Sequence, residues 1–214
     1  DLKLDLAFGD ITFLNDTITY YESVGAAAKT IALVSGNIYE VIQSNPGTAT
    51  TNRLNINTPG GARVRIKNVN MKNDGGNYSP IEIAGKVILE ISGSNHVTST
   101  TNITEGTVDK GKAAIHVPSG ATLELTGTGT LNATVSSEAY YGSAGVGGNY
   151  FRDGTKYEHS GNIIIHSGTI TAQGGKFAAG IGGGKVGSGT VTINGGAVTA
   201  SGGTSGAGIG SGGD

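Results

Sequence analysis

The sequence predicts an all-β fold: a right-handed parallel β-helix with about three short strands per coil, interrupted by loop excursions. Three observations carry that expectation. Residues 161–184 and 189–212 are two copies of one 24-residue unit at a 28-residue offset, closing on Ala179 to Gly182 and Ala207 to Gly210. Apolar side chains alternate inside each copy, as at Val191 and Ile193, the period-two mark of a strand with one face inward. Gly-Gly pairs at 174–175, 195–196 and 202–203 punctuate the strands, and glycine adopts bends that β-branched residues refuse. A unit this short cannot bury its own apolar edge. Like positions in successive coils are therefore expected to pile into one continuous core.

In chain order, Leu4 to Leu6 and Ile11 to Phe13 read as the first strands, a cap against edge pairing. Residues 1–60 as a whole read as irregular N-terminal coils, with Tyr20 to Val34 as an irregular opening rather than a helix. Val64, Ile66, Val69, Met71, Ile81 and Ile83 form one degenerate coil. Leu89, Ile91, Val97 and Ala114 to Val117 form the next, and Leu123, Leu125, Leu131 and Ala144 to Gly148 another. The anchors Ile81, Ile115, Val146, Ile181 and Ile209 lie 34, 31, 35 and 28 residues apart, as constant strands joined by variable loops require. Asn95 to Lys112 is polar and lacks alternation, so it reads as a loop leaving the stack. Residues 136–160 form a larger excursion, and 161–212 the two regular repeats. Residues 1–214 are thus expected to make one elongated domain. The ends, at Asp1 and inside a repeat at Asp214, read as those of a fragment of a larger protein.

Composition narrows the function classes. Charged residues are only 14% of the chain, too few for charge-driven disorder. A net charge of −2 offers no basic stripe, which argues against nucleic acid as a partner. No apolar run reaches the length of about 18 residues that a membrane span needs, so no membrane insertion is expected. Cysteine is absent, which removes disulfides, thiolate metal sites and a cysteine nucleophile.

The excursion holds the candidate ligand-binding residues. Tyr140, Tyr141, Tyr150, Phe151 and Tyr157 are five of the chain's twelve aromatics within 18 residues, beside Glu138, Arg152, Asp153, Lys156, Glu158 and His159. Sugar rings pack flat C–H faces on aromatic rings while their hydroxyls seek charged partners, so this mixture suits a glycan contact on a loop held by a rigid scaffold. The ligand-binding set is Tyr140, Tyr141, Tyr150, Phe151, Arg152, Asp153, Tyr157, Glu158 and His159. No catalytic residues are assigned, because glycoside hydrolysis needs paired carboxylates and no two acids occupy equivalent positions in neighbouring coils by sequence. His96, His116, His159 and His166 show no recognised metal-ligand spacing. No cofactor is expected, with calcium at Asp74, Asp109 or Asp153 as the one candidate ion. The runs 179–183 and 206–210 lack the following helix of a phosphate-cradling loop. Thr-x-Thr pairs suggest an ice-binding ladder, but the offset sets Thr169 against Ala197 and Thr190 against Asn162, which breaks it.

Leu4 to Leu6 with Gly9 to Ile11, the run Ala114 to Leu123, and the phrases Gly196 to Gly203 and Gly206 to Gly210 resemble carbohydrate-binding-domain-containing surface proteins of Firmicutes and related gut bacteria. The resemblance implies a pectate-lyase-like β-helical fold, sugar binding and an exported, cell-surface location, and supplies no site motif to transfer. The expected function is a non-catalytic, extracellular glycan-binding or adhesive module of a bacterial surface protein. Its partners would be a glycan or host-surface ligand and neighbouring domains of the same chain. The alternatives are a structural spacer and a polysaccharide lyase or glycoside hydrolase.

Overall fold

The computed structural model describes residues 4–73, 76–100, 102–105, 108–136, 142–152 and 158–214. Every regular element among them is a strand, and no helix there is long and apolar enough to cross a membrane. Most of the strands fall into three parallel ladders, visited in the same order again and again.

The first ladder takes Ile11–Leu14, the opening halves of Leu54–Lys67 and Ile81–Ser92, then Ile115–His116, Val146–Gly147, Ile181–Gly182 and Ile209–Gly210. The second takes Leu4–Asp5, Ile38–Ile42, the closing halves of the same two long strands, Thr122–Gly127, Asn162–Ile165 and Thr190–Ile193. The third takes Asn70–Asn73, Ser94–Ser99, Thr130–Val135, Thr169–Gln173 and Ala197–Ser201. Where Leu54–Lys67 crosses from the first ladder to the second, its register against Ile81–Ser92 shifts between Thr58 and Ala62. Gly61 there takes φ +87, a backbone that residues with a Cβ rarely adopt.

The anchors read from the sequence lie in register. Ile81 pairs with Ile115, Ile115 with Val146, Val146 with Ile181 and Ile181 with Ile209. Ile11 and Leu54 extend this column towards the N-terminus. All are buried except Ile209 in the last row, which is 42% exposed. Thr169 pairs with Ala197 and Asn162 with Thr190, as the 28-residue offset requires. Parallel in-register pairing sets like side chains over one another, and burial of each large aliphatic chain contributes about 1.5–3 kcal/mol. In the third ladder the inward column tapers, from Met71 and Val97 to Ala133, Ala172 and Ala200.

Two sequence expectations are corrected. Asn95 to Ser99 does not leave the stack, since Ser94–Ser99 is a full member of the third ladder with Val97 in the core. Asn95 itself is buried. Its Oδ1 accepts from the Val69 N–H at 3.2 Å, and its Nδ2 donates to the Ser92 and Thr130 carbonyls at 3.0 and 3.1 Å. The polar side chain thus stands in for backbone partners at the corner, which is why hydropathy misses the strand. Beyond it, Asn102–Glu105 and Val108–Gly111 form an antiparallel hairpin rather than a loop. Asn95→Ala would strand one buried donor and two acceptors, and should lower the urea-unfolding free energy by about 2–3 kcal/mol; an unchanged midpoint would reverse that reading.

The second correction concerns Tyr20 to Val34. Thr17–Tyr20 pairs antiparallel with both Ile11–Leu14 and Lys29–Ala32, so the opening is a regular meander. Ile18 packs into the core while Lys29 and Glu22 pair outside at 2.5 Å. Alternation is present in Thr17 to Tyr20, but Gly25 to Ala28 masks where the return strand begins.

Candidate functional site

The outward residues of the first ladder form a polar row. Thr12 pairs with Asn55, Asn55 with Glu82, and Glu82 with His116, each one position past an inward anchor. Strand alternation makes this row inevitable once Ile11, Leu54, Ile81 and Ile115 point inward. After His116 the row continues as Gly147, Gly182 and Gly210, which carry no side chains. A Cβ at Gly147 would meet the Gly182 carbonyl oxygen at 2.0 Å, so the backbones there approach too closely for any larger residue.

Above that bare stretch the excursion returns. Glu158 brings its carboxylate to His116 Nε2 at 2.6 Å, while the Glu82 carboxylate holds Nδ1 from the other side. Only 7% of the His116 side chain is exposed, against 33% for Glu82 and 28% for Glu158. Burial alone would push the imidazole pKa down. Hydrogen bonds to Glu158 and Glu82, with the charges of both, outweigh burial and hold it up at about 9. At neutral pH His116 is therefore a buried cation donating from both ring nitrogens to two carboxylates.

Beside this cluster, Thr12, Arg53, Asn55, Asn57, Glu82 and Pro118 line a cleft of about 380 Å³. Arg53 is held on two sides: its guanidinium lies 4.4 Å from the Tyr78 ring centroid and donates to Asn55 Oδ1 at 3.2 Å. Asn55 Nδ2 reaches Thr12 Oγ1 at 3.4 Å, whereas Asn57 is exposed at the cleft wall. Guanidinium, amide, hydroxyl and carboxylate groups give this one cleft both hydrogen-bond donors and acceptors.

The predicted site residues divide into three groups. Glu158 reaches the polar row, and His159 stays exposed with its Nδ1 facing the Ser188 backbone N–H and hydroxyl at 3.0 Å each. Tyr150 is buried, 3% exposed, with its N–H donating to Ser143 Oγ at 2.9 Å and Lys185 Nζ 5.9 Å from its ring centroid. It anchors the excursion instead of presenting a ring to a ligand. Phe151 is half-buried beside Lys110, in Tyr150–Arg152, which pairs antiparallel with Val108–Gly111. Tyr140, Tyr141, Asp153 and Tyr157 lie outside the described residues, as does the side chain of Arg152. Asn149 ties the start of the excursion down, its Oδ1 accepting from the Ala113 N–H at 2.7 Å and lying 3.3 Å from Ser79 Oγ.

Sequence reasoning missed Glu82, His116 and the cleft, although a signal was present. Ile81 and Ile115 were matched as anchors, and the residues following them must then lie side by side. The other histidines have polar neighbours: His166 with Glu124 at 3.0 Å, and His96 with Ser94 at 3.3 Å. Lys86 beside Glu124 holds that carboxyl below the usual carboxylate range. Among the described residues no group of three or more His, Cys, Asp or Glu side chains is placed to hold a metal ion. Of the calcium candidates, Asp74 and Asp153 lie outside the described residues, and Asp109 is placed only as a backbone position in Val108–Gly111. Compared with protein-family models, curated proteins and solved structures, the chain matches none.

Proposed function

We propose that this chain is a non-catalytic glycan-binding module of an exported bacterial surface protein, of the carbohydrate-binding-domain-containing kind that its repeat phrases resemble. In this reading the three ladders close on one another as turns of a right-handed parallel β-helix. The constant visiting order first, second, third supports closure, and the strong right-handed preference of parallel crossovers supports the hand. A rigid stack of this kind serves as a platform for its outward row.

The observation that carries the proposal is the contiguity of the row Thr12, Asn55, Glu82 and His116 with the aromatic excursion, through Glu158. The cleft supplies the hydrogen bonds that sugar hydroxyls need, and Phe151, half-buried in Tyr150–Arg152, is the ring among the excursion's described residues left to pack on a sugar face. Binding is favoured over cleavage because Glu82 and Glu158 are both engaged by one imidazolium. A glycosidase instead needs one protonated and one free carboxylate across the scissile bond. Calcium is not required by this reading.

A glycan array with the whole chain tests it. Asn55→Ala with Asn57→Ala should weaken the strongest glycan signal about tenfold or more, through lost amide hydrogen bonds, while the circular-dichroism spectrum at the assay temperature stays that of the folded parent. Wild-type protein silent on every glycan would favour the spacer reading. Release of oligosaccharide from a polysaccharide panel would favour a lyase or hydrolase.

A further inference from the structure

We propose that the notch between the 33–37 loop and the Gly60-Gly61 corner is a separate binding site for a small carboxylate with an apolar body. This goes beyond the glycan reading and stands independently of it. The starting point is a contrast between two arginines on one strand. Arg65 stands in register between Glu40 and Glu90, 3.6 and 2.8 Å from their carboxylates. Arg63, two residues earlier on the same outward face, stands instead between Ile38 and Ile88. It has no hydrogen-bond or ion-pair partner among the described residues. Lys86 does not lend it an acid either, since that ammonium holds Glu124 at 3.0 Å.

Arg63 lies at a cavity of about 190 Å³ walled by Val34, Tyr39, Ala62 and Ile88. Val34 is 54% exposed there, a large aliphatic side chain that the fold leaves uncovered. The Tyr39 hydroxyl accepts from the Val34 N–H at 2.7 Å, which fixes the loop over the strand and leaves the phenolic proton to donate elsewhere. At Gly60 a Cβ would meet nothing within 4 Å, so this side of the notch stays open for want of a side chain. The volume equals about six waters, enough for one six-membered ring bearing a single charged group.

The chemistry selects the ligand. A guanidinium presents a planar fork that matches a carboxylate in two parallel hydrogen bonds. Leu33, Val34, Tyr39, Ala62 and Ile88 make the apolar part of a lining that also holds Ser35, Asn37 and Lys86, and that part gains from an apolar body that expels its water and gains little from a hydroxyl-covered one. A bare inorganic anion satisfies the arginine and leaves Val34 and Ile88 wet. A neutral ring does the reverse.

Benzoate is the probe, with benzyl alcohol as its uncharged counterpart and glucuronate as a carboxylate on a polar ring. Titrations followed by ¹H–¹⁵N NMR should show saturable benzoate shifts at the Gly36, Gly60 and Gly61 amides, with weaker responses to both comparators. Arg63→Gln should weaken benzoate at least about tenfold, while Arg65→Gln should leave it bound. Equal binding of benzyl alcohol would overturn carboxylate recognition, and equal binding of glucuronate would overturn the apolar body. Undiminished affinity in Arg63→Gln, lost affinity in Arg65→Gln, shifts centred elsewhere, or no saturable shift would each overturn the site itself. Because Arg63 is exposed, the variant's remaining spectrum should overlay that of the parent, which separates lost binding from lost fold.

Discussion

Gly182→Ala should destabilise this protein by more than about 3 kcal/mol. Gly182 has φ +129, where a residue with a Cβ is strained whatever the space around it. The added carbon would also sit 2.1 Å from the Gly210 carbonyl oxygen, a backbone atom that no rotamer change can move. Gly147 on the row before has φ +138 and the same relation to Gly182, so the overlap cannot be relieved by sliding one strand past the next. With stabilities of single domains near 5–15 kcal/mol, such a loss is a large share of the total. Urea denaturation of Gly182→Ala beside Gly120→Ala makes the comparison. Gly120 also has a positive φ, +86, but an added Cβ there would meet nothing within 4 Å, so it isolates strain from overlap. Equal midpoints for the two variants would remove steric approach as the reason these rows are glycine.

His116 should make stability fall as pH rises. Its folded pKa of about 9 lies above the ordinary 6.5, so the folded protein holds a proton that the unfolded chain releases. The contribution is therefore fully present below about pH 6.5 and is lost as pH climbs through about 9. At about 1.4 kcal/mol per unit the shift corresponds to about 3 kcal/mol. That is an upper figure, because Glu82 and Glu158 are 33% and 28% exposed and water screens part of their attraction. Urea unfolding at a series of pH values should show the wild type losing this increment while His116→Gln stays flatter. Groups remote from His116 are common to both proteins and cancel in the difference. Parallel pH profiles would exclude His116 as their source. Since Glu158 belongs to the excursion, the same titration should loosen the excursion's hold on the stack at alkaline pH.

What the sequence made legible was the inward column. Ile81 through Ile209 could be matched because a buried position in a parallel ladder repeats one chemical type, and the register bears out each match. Asn95 was illegible for the opposite reason: it is inside through three hydrogen bonds to corner backbone, an arrangement that leaves no hydropathy trace. The Thr17–Tyr20 and Lys29–Ala32 meander was obscured by the small residues between its strands. Two of the three members of the polar cluster were within reach of sequence reasoning. Glu82 and His116 follow two matched anchors, whereas Glu158 arrives from a variable excursion, and nothing in its local sequence shows where that chain returns. Tyr150 illustrates a related limit, since the aromatic density of 140–157 does not distinguish a ring that anchors a loop from one that faces outward.

The narrowing inward column of the third ladder bears on fidelity of assembly. Near-identical repeats invite a chain to pair one whole repeat out of place, and each misplacement would conserve most backbone hydrogen bonds. Met71, Val97 and Ala133 make the early strands of this ladder unequal in bulk, so a displaced repeat would wedge an isopropyl group into a berth shaped for a methyl, at a cost of about 1–3 kcal/mol. Ala133, Ala172 and Ala200 are alike, and among those last three strands that safeguard is missing.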